Sequence, residues 1–211
     1  MEILKPVINK LEVNRSIENA IENNEDKDIE NLEFNCCIEQ NINTYKIEFN
    51  KCKFKNCQIL NSEFIKSTLT DVIFEDCDFS NTDFSESYLA RVKFINCKFI
   101  GSNFSNVTLY NVLIENCNFS YINLSEATMK KVKFNSTNLE SSSMQECNLK
   151  ETAFENCKLV LSNLFKTNLN KIDFRDNNIN GITVRIEDLK GAIVSEYQAL
   201  ELSRLIGIII K

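Results

Sequence analysis

The chain has 211 residues, of which 43% are hydrophobic and 26% charged, and its formal net charge is −6. It has one proline, four glycines, no tryptophan and no histidine, so the commonest general base and metal ligand is missing. No apolar run is long enough to span a membrane and no signal-peptide core follows Met1, so we expect a cytoplasmic protein.

Residues 1–46 are the least regular part of the sequence, and their ten acidic and five basic residues carry most of the net charge. Ile29 and Phe34 indicate an early coil, but Glu39 and Thr44 stand where apolar residues are expected. We therefore expect an acidic N-terminal segment that forms either a cap or an irregular first coil, with a degenerate coil or a bulged loop near residues 35–46. The stretch 17–26 fits a short cap, a helix turn or a mobile arm.

Residues 47–190 form a repeat of five residues. Every fifth residue from Phe49 to Leu189 is Phe, Leu, Ile, Met or Val, and a small or β-branched residue stands two places before it except at Asn177 and Glu187. The other three positions are mostly polar. Because the period matches neither an α-helix nor an ordinary strand, it predicts an all-β solenoid with two inward positions in each unit.

A second period of twenty residues predicts four sides. One column of inward residues, starting at Phe54, is nearly all Phe, whereas the column starting at Phe49 is mainly Leu. Residue n should therefore lie directly over residue n+20 in a rod of square cross-section, with parallel strands stacked at about 4.8 Å. Some seven coils would give a rod on the order of 35 Å long.

Seven of the nine cysteines fall on the inward small position, which indicates a buried ladder of reduced thiols. A metal site is the competing interpretation, but there is no histidine and no C-x-x-C pair, so we expect no metal and no cofactor. Cys36 and Cys37, outside the clean register, are the candidates for reactive thiols. No phosphate loop or nucleophile motif is present, and we expect no enzyme activity.

Acidic residues crowd one coil of the repeat, between Lys66 and Arg91, with no basic residue among them. We expect this acidic band to bind a basic groove on a partner protein, although a merely solvated face is the alternative. Its members are Asp71, Glu75, Asp76, Asp78, Asp83 and Glu86.

Residues 191–211 leave the repeat and predict a C-terminal capping helix. Ser195 and Gln198 form a capping box, helical spacing follows for about twelve residues, and Gly207 suits the end of the helix. The apolar tail indicates a homodimer joined at this end, with capping of the chain's own core as the alternative. The predicted dimer interface comprises Tyr197, Leu200, Leu202, Leu205, Ile206, Ile208, Ile209 and Ile210.

The repeat resembles the pentapeptide-repeat proteins, whose unit is a small residue, a polar residue, Leu or Phe, and two polar residues. Ser162-Asn163-Leu164 matches that unit. The resemblance implies a right-handed quadrilateral parallel β-helix. The handedness comes from the resemblance and not from the spacing.

The C-terminal run from Asp188 to Gly191, then Tyr197-Gln198-Ala199 and the run from Arg204 to Ile208, resembles the end of the Qnr quinolone-resistance proteins. The resemblance implies a dimeric rod that mimics DNA, binds DNA gyrase and often topoisomerase IV, and protects them from quinolones. No direct binding of nucleic acid is expected. A pentapeptide-repeat scaffold for a different protein partner is the alternative.

The chain departs from those proteins in two ways. Several Qnr proteins carry loops that interrupt the coils, whereas the register here runs unbroken from residue 49 to residue 189. The rod is also nearly neutral, so we expect mimicry of DNA charge only in local bands.

Overall fold

The computed structural model of the chain describes residues 1–208 and shows a right-handed quadrilateral β-helix of about seven turns with a short C-terminal helix. The four-sided solenoid predicted from the two periods is therefore confirmed. No helix within residues 1–208 is long and apolar enough to cross a membrane.

The strands are short at the start of the rod and longer from β10 onward. The elements are β1 (Glu12–Asn14), α1 (Ile17–Glu22), β2 (Asp28–Glu30), β3 (Leu32–Asn35), β4 (Ile38–Gln40), β5 (Asn43–Tyr45), β6 (Glu48–Asn50), β7 (Lys53–Lys55), β8 (Gln58–Leu60), β9 (Glu63–Ile65), β10 (Thr68–Glu75), β11 (Tyr88–Ile95), β12 (Thr108–Glu115), β13 (Thr128–Asn135), β14 (Asn148–Glu155) and α2 (Glu196–Ser203). One 3-10 helix, Ile186–Leu189, precedes α2, and another, Arg204–Ile206, follows it directly.

We number the four faces in chain order by their inward central residues Phe49, Phe54, Ile59 and Phe64. The first and second faces form one ten-stranded parallel sheet, because β10 to β14 each run through the corner between them. The third and fourth faces begin as two-stranded sheets and continue as isolated parallel bridges. Every pair joins residue n to residue n+20, as the twenty-residue period predicts.

Stacked aromatic rings fill the core along the second face. The rings of Phe54 and Phe74 lie 4.7 Å apart with an interplanar angle of 7°, and those of Phe74 and Phe94 lie 4.9 Å apart at 10°. Phe79 of the third face meets Phe74 edge-on at 5.3 Å. Offset stacks and edge contacts are the arrangements that aromatic quadrupoles favour, so the column identity seen in the sequence has a direct energetic reason.

The inward small residues satisfy backbone amides at the tight corners. The N–H of Ser67 donates to Ser87 Oγ of the next coil at 2.9 Å, and the N–H of Cys57 donates to Cys77 Sγ at 3.4 Å. Buried amides need such partners. Val72 stands instead at the corner between the first and second faces, where strand β10 continues and no side-chain acceptor is needed.

The first coil begins earlier than the expected boundary at residue 47. Strands β2 to β5 pair in register with β6 to β9, so of the two alternatives for residues 35–46 the structure has a coil, in regular register, and not a bulged loop. The carboxylate of Glu39, at an inward position, accepts hydrogen bonds from Ser16 Oγ (2.5 Å) and the N–H groups of Ile17 (3.0 Å) and Glu18 (3.3 Å). It thereby holds α1, which covers the end of the core through buried Ile17.

The predicted C-terminal helix is confirmed. Ser195 and Gln198 form the capping box, α2 is followed by a 3-10 turn to Ile206, and Gly207 has a φ of 75° at the end. The side-chain amide of Gln198 also donates to the carbonyls of Phe174 (2.7 Å) and Asn177 (2.8 Å), which fastens the helix to the last coil.

Candidate protein-binding surfaces

Charged side chains on the second face pair with the neighbouring coil. A lysine of one coil meets the glutamate that follows it by twenty-two residues: Lys53–Glu75 (2.5 Å), Lys93–Glu115 (3.2 Å) and Lys133–Glu155 (2.7 Å). Partly exposed pairs of this kind add little to stability. Their main effect is to leave this face nearly neutral.

The acidic band is not the unbalanced surface that the sequence indicated. Four of its six carboxylates lie within 4 Å of a cation from an adjacent coil: Asp71–Arg91, Glu75–Lys53, Asp78–Lys98 and Glu86–Lys66. The prediction of a strongly negative coil was wrong because it compared neighbours along the chain, whereas neighbours in space are about twenty residues apart. Exposed pairs such as Lys66–Glu86 remain solvated and screened.

Asp71 differs from the other band residues because it is buried. Its carboxylate accepts two hydrogen bonds from Arg91, each of 2.7 Å, and one of 2.9 Å from the N–H of Val7. The bound Arg91 guanidinium holds the pKa of Asp71 below its usual value. With the N-terminal residues in place, Asp71 is therefore paired within the chain and covered.

Asp76 and Asp83 are the band residues without a cation within 4 Å among the described residues. Asn96 Nδ2 donates to Asp76 at 3.0 Å, and Asn103 Nδ2 donates to Asp83 at 3.0 Å. Neutral amides orient the carboxylates but leave their charge uncompensated. Asp76 is exposed and Asp83 half-buried, so these two place uncompensated negative charge at the surface of the rod.

The C-terminal end presents an apolar surface. Most side chains of the predicted dimer interface are exposed: Tyr197 (83%), Leu200 (50%), Leu205 (41%), Ile206 (55%) and Ile208 (50%). Leu202 is half-buried and packs against the core, so it caps its own rod and is not free to form an interface. Ile209 and Ile210 lie outside the described residues.

The repeat itself is recognised by a family model. Residues 27–94 and 87–164 match the model described as the pentapeptide repeat region. The chain belongs to the pentapeptide-repeat family. The match starts at residue 27, in agreement with the early first coil. No curated protein sequence matches the chain.

Three solved structures are similar to this chain at low sequence identity, and the first of them shares its fold. A trypsin-treated variant of QnrB1, described as a plasmid-mediated fluoroquinolone resistance protein, is 18% identical with a TM-score of 0.54, covering 97% of this chain and 99% of that one. Full-length QnrB1 is 17% identical, with a TM-score of 0.46 and coverage of 83% and 100%. HetL from the cyanobacterium Nostoc is 13% identical, with a TM-score of 0.28 and coverage of 83% and 94%.

Several large side chains are exposed on this pentapeptide-repeat rod, among them Tyr121, Leu161 and Phe165. Tyr121 and Leu161 lie at the corner between the third and fourth faces, and both are well exposed in left-handed backbone conformations, with φ of 59° and 58°. Phe165 lies nearby on the fourth face, and its ring is approached by Lys166 Nζ at 5.7 Å and Arg185 Cζ at 5.6 Å. These residues offer apolar contacts on an otherwise polar surface.

The cysteines have a structural place. All nine are free thiols, and all except Cys36 are buried. Cys37 belongs to the buried thiol column and is not reactive by exposure, contrary to the expectation from the sequence. Burial raises the pKa of Cys52 and that of Cys147 to about 11, so both thiols stay protonated. No group of three metal-ligating side chains occurs within residues 1–208.

Sequence analysis missed the contact between the first residues and the rod. The N–H groups of Leu4 and Val7 donate to Asn111 Oδ1 and Asp71 Oδ1, so residues 1–11 lie along the corner between the first and second faces. The sequence contained a sign of this contact at the positions twenty residues apart that start at Thr70. They are the uncharged Thr70, Ala90 and Tyr110 where the first residues lie on the rod, and lysine at positions 130 and 150 beyond them.

Proposed function

We propose that this protein is a non-catalytic, cytoplasmic binding protein of the Qnr type. It docks on DNA gyrase, and on topoisomerase IV, in place of a DNA duplex and protects the enzyme from quinolones. The observation that carries the proposal is the four-sided rod with its capped C-terminal helix, a fold shared over nearly the whole length with the QnrB1 variant. The shared fold supports the proposal through shape, since sequence identity is low.

Few charged side chains of the rod are expected to contribute to topoisomerase binding. Because four of the six acidic-band carboxylates pair with cations of adjacent coils, the exposed or partly exposed charges of Asp76 and Asp83 carry the phosphate-like part of that band. Rim charges steer association more than they add affinity. Binding should therefore depend on shape first, and its salt dependence should be weaker than that of a duplex.

The working unit in this proposal is a homodimer joined at the C-terminal end. The exposed side chains of Tyr197, Leu200 and Ile206 form an apolar surface that a second copy would cover. A two-fold contact uses the same patch twice, so the two rods would point away from each other. Leu202 stays in each monomer as part of the cap.

Because its coils are regular, the rod could bind a topoisomerase without protecting it from quinolones. Strands and bridges continue in register from Asp28 to Thr183, so no loop projects from between the coils within this range. If projecting loops are what protects a topoisomerase in the loop-bearing Qnr proteins, this rod would compete with DNA more strongly than it protects. Supercoiling would then fall as the protein is added.

An interaction scaffold for a different protein partner is the second candidate. The exposed side chains of Tyr121, Leu161 and Phe165 favour it, because a rod selected only to resemble DNA has no use for them. Aromatic side chains beside cations are common anchors of protein interfaces.

The test is a gyrase supercoiling assay with and without ciprofloxacin. We expect the protein either to restore supercoiling in the presence of the drug or to inhibit supercoiling without it, and the double variant Asp76→Asn with Asp83→Asn to weaken the effect. Glu151→Gln is the matched control, since Glu151 is exposed, has no cation within 4 Å among the described residues and lies on another corner. No effect on supercoiling under either condition would reject the topoisomerase proposal and leave the scaffold.

A further inference from the structure

The N-terminal arm, residues 1–11, is an extended segment held by its main chain. It leads into β1, which pairs with β3 beside the second face. Val7 donates its N–H to Asp71 Oδ1 at 2.9 Å, and Leu4 donates its N–H to Asn111 Oδ1 at 3.3 Å. Asp71 and Asn111 occupy the same corner position two coils apart, so the arm runs along the rod axis.

The corner beneath the arm is shaped to receive a chain. Asn111 is fully buried and Asp71 is 5% exposed, whereas Glu151, at the same position further along the rod, is exposed. The neighbouring column changes in the same way, because Ala90 is buried under the arm while Lys130, beyond it, is exposed. We call this corner, defined by Asp71, Ala90, Arg91, Tyr110 and Asn111, the arm groove.

One acceptor of the arm groove, the carboxylate of Asp71, is held in place by the rod itself. Arg91 of the adjacent coil grips both oxygens of Asp71, which leaves Oδ1 directed at the N–H of Val7. A preoriented charged acceptor favours a main-chain donor without further ordering of the side chain.

The arm does not satisfy the groove completely. Asn111 Nδ2 is buried and has no hydrogen-bond partner among the described residues, although the Oδ1 of the same amide is used by Leu4. A buried donor without a partner costs free energy that an occupant with a suitably placed acceptor would recover.

We propose that the arm groove is a docking site for an extended peptide segment, and that the chain's own arm is its resident occupant. The partner it fits is an extended segment of another protein that presents free N–H groups over Asp71 and Asn111. A carbonyl of that segment over Asn111 Nδ2 would complete the site. In this recognition the main-chain N–H groups of an extended chain donate to the side-chain oxygens of Asp71 and Asn111, and it does not depend on topoisomerase binding.

Tethering makes the arm a strong competitor. A short linker gives a tethered segment an effective concentration on the order of millimolar. A partner present at micromolar concentration therefore binds poorly until the arm is loosened. The arm of the full-length chain can be loosened by a single substitution. Val7→Pro removes the N–H that donates to Asp71 and keeps an extended backbone.

The experiment measures binding of a fluorescent synthetic peptide of residues 1–11 to full-length Val7→Pro by fluorescence anisotropy. Val7→Ala, which keeps the N–H, is the matched control. We expect the peptide to bind Val7→Pro at least about tenfold more tightly than it binds Val7→Ala or the unaltered chain. A peptide N-methylated at Val7 should bind Val7→Pro at least about tenfold more weakly than the unmodified peptide, which is about 1.4 kcal/mol.

Trypsin cleavage after Lys10 reports separately whether the arm has been released. Faster cleavage of Val7→Pro than of Val7→Ala, together with peptide binding that N-methylation weakens, supports the proposal. Three results overturn it: an arm that is cleaved no faster in Val7→Pro, a released arm with no peptide binding up to 1 mM, or binding that N-methylation leaves unchanged.

Discussion

Two polar residues of the first coil break the repeat at the same kind of position, and the structure predicts opposite effects for replacing them. Glu39 and Thr44 both occupy the inward central position. A consensus argument says that an apolar residue would stabilise the rod at either place. The contacts of the two side chains predict destabilisation at Glu39 and stabilisation at Thr44.

Glu39→Leu should destabilise the protein. The substitution removes the acceptor of the two helix N–H groups of Ile17 and Glu18 and of the Ser16 hydroxyl. Losing a helix N-cap costs about 1 kcal/mol, in a range of about 0.5–2, and loosening α1 also exposes Ile17, whose full burial is worth about 1.5–3 kcal/mol. The new leucine recovers only part of this, because the site is half-buried. We expect a net loss of about 1–2 kcal/mol.

Thr44→Val should have the opposite sign. Thr44 is 4% exposed and its Oγ1 has no hydrogen-bond partner among the described residues. Replacing a buried, unsatisfied hydroxyl with a methyl group of similar size removes a desolvation cost of about 1–3 kcal/mol. We expect a gain of about 1 kcal/mol with no change in the shape of the core.

Urea denaturation followed by circular dichroism measures both changes, and hydrogen exchange at residues 17–22 shows whether α1 has loosened. Glu39→Gln is a useful intermediate, since it keeps an acceptor but loses the charge that favours a helix N-terminus by about 0.3–1 kcal/mol. A stabilising Glu39→Leu, or a destabilising Thr44→Val, would refute this account of the first coil.

Three further predictions follow from other parts of the rod. Leu205→Glu combined with Ile206→Glu should leave the β-helix folded and give a monomer by light scattering, and an unchanged dimer would reject the C-terminal interface. Leu161→Asn should raise the free energy of unfolding by about 1 kcal/mol, because asparagine tolerates a left-handed backbone better than leucine; an unchanged or lower midpoint in urea would contradict this. The lowered pKa of Asp71 predicts stability that is complete above about pH 4, the usual carboxyl range, and is lost as the pH falls. In urea titrations between pH 5 and pH 2, Asp71→Asn should therefore show a smaller decline than the unaltered chain, and parallel declines would contradict the assignment.

Much of the rod could be predicted from the sequence because each unit contacts its own copies. Phe54 stacks on Phe74, and the N–H of Cys57 donates to Cys77 Sγ. Residues twenty positions apart in the sequence are therefore in contact in the structure. The capping box of α2 was readable for a similar reason, since its two residues are three apart. Local and repeated contacts leave regular traces in a sequence.

The charge of the acidic band was misread although the same columns contained the answer. Asp71 stands over Arg91, and Glu86 stands beneath Lys66, at intervals of twenty residues. The role of Glu39 had no such signal. Its partners lie in α1, which stands outside the repeat and has no second copy with which to compare it.

Because the coils repeat, most hydrogen-bonding groups and many charges of the rod are paired with the next coil, and this limits where a partner can bind. The amides of its tight corners find acceptors in the next coil, and most carboxylates of the acidic band find cations there. A partner that offered only positive charge would have to compete with Lys53 or Arg91 for carboxylates that are already paired. A partner can still contact the outer surface of the rod, the unpaired Asp76 and Asp83 of the acidic band, and the two ends where the repeat stops. The N-terminal arm and the apolar surface beside α2 depart from the repeat in sequence, and they are therefore where specificity for a particular partner can be added without disturbing the core.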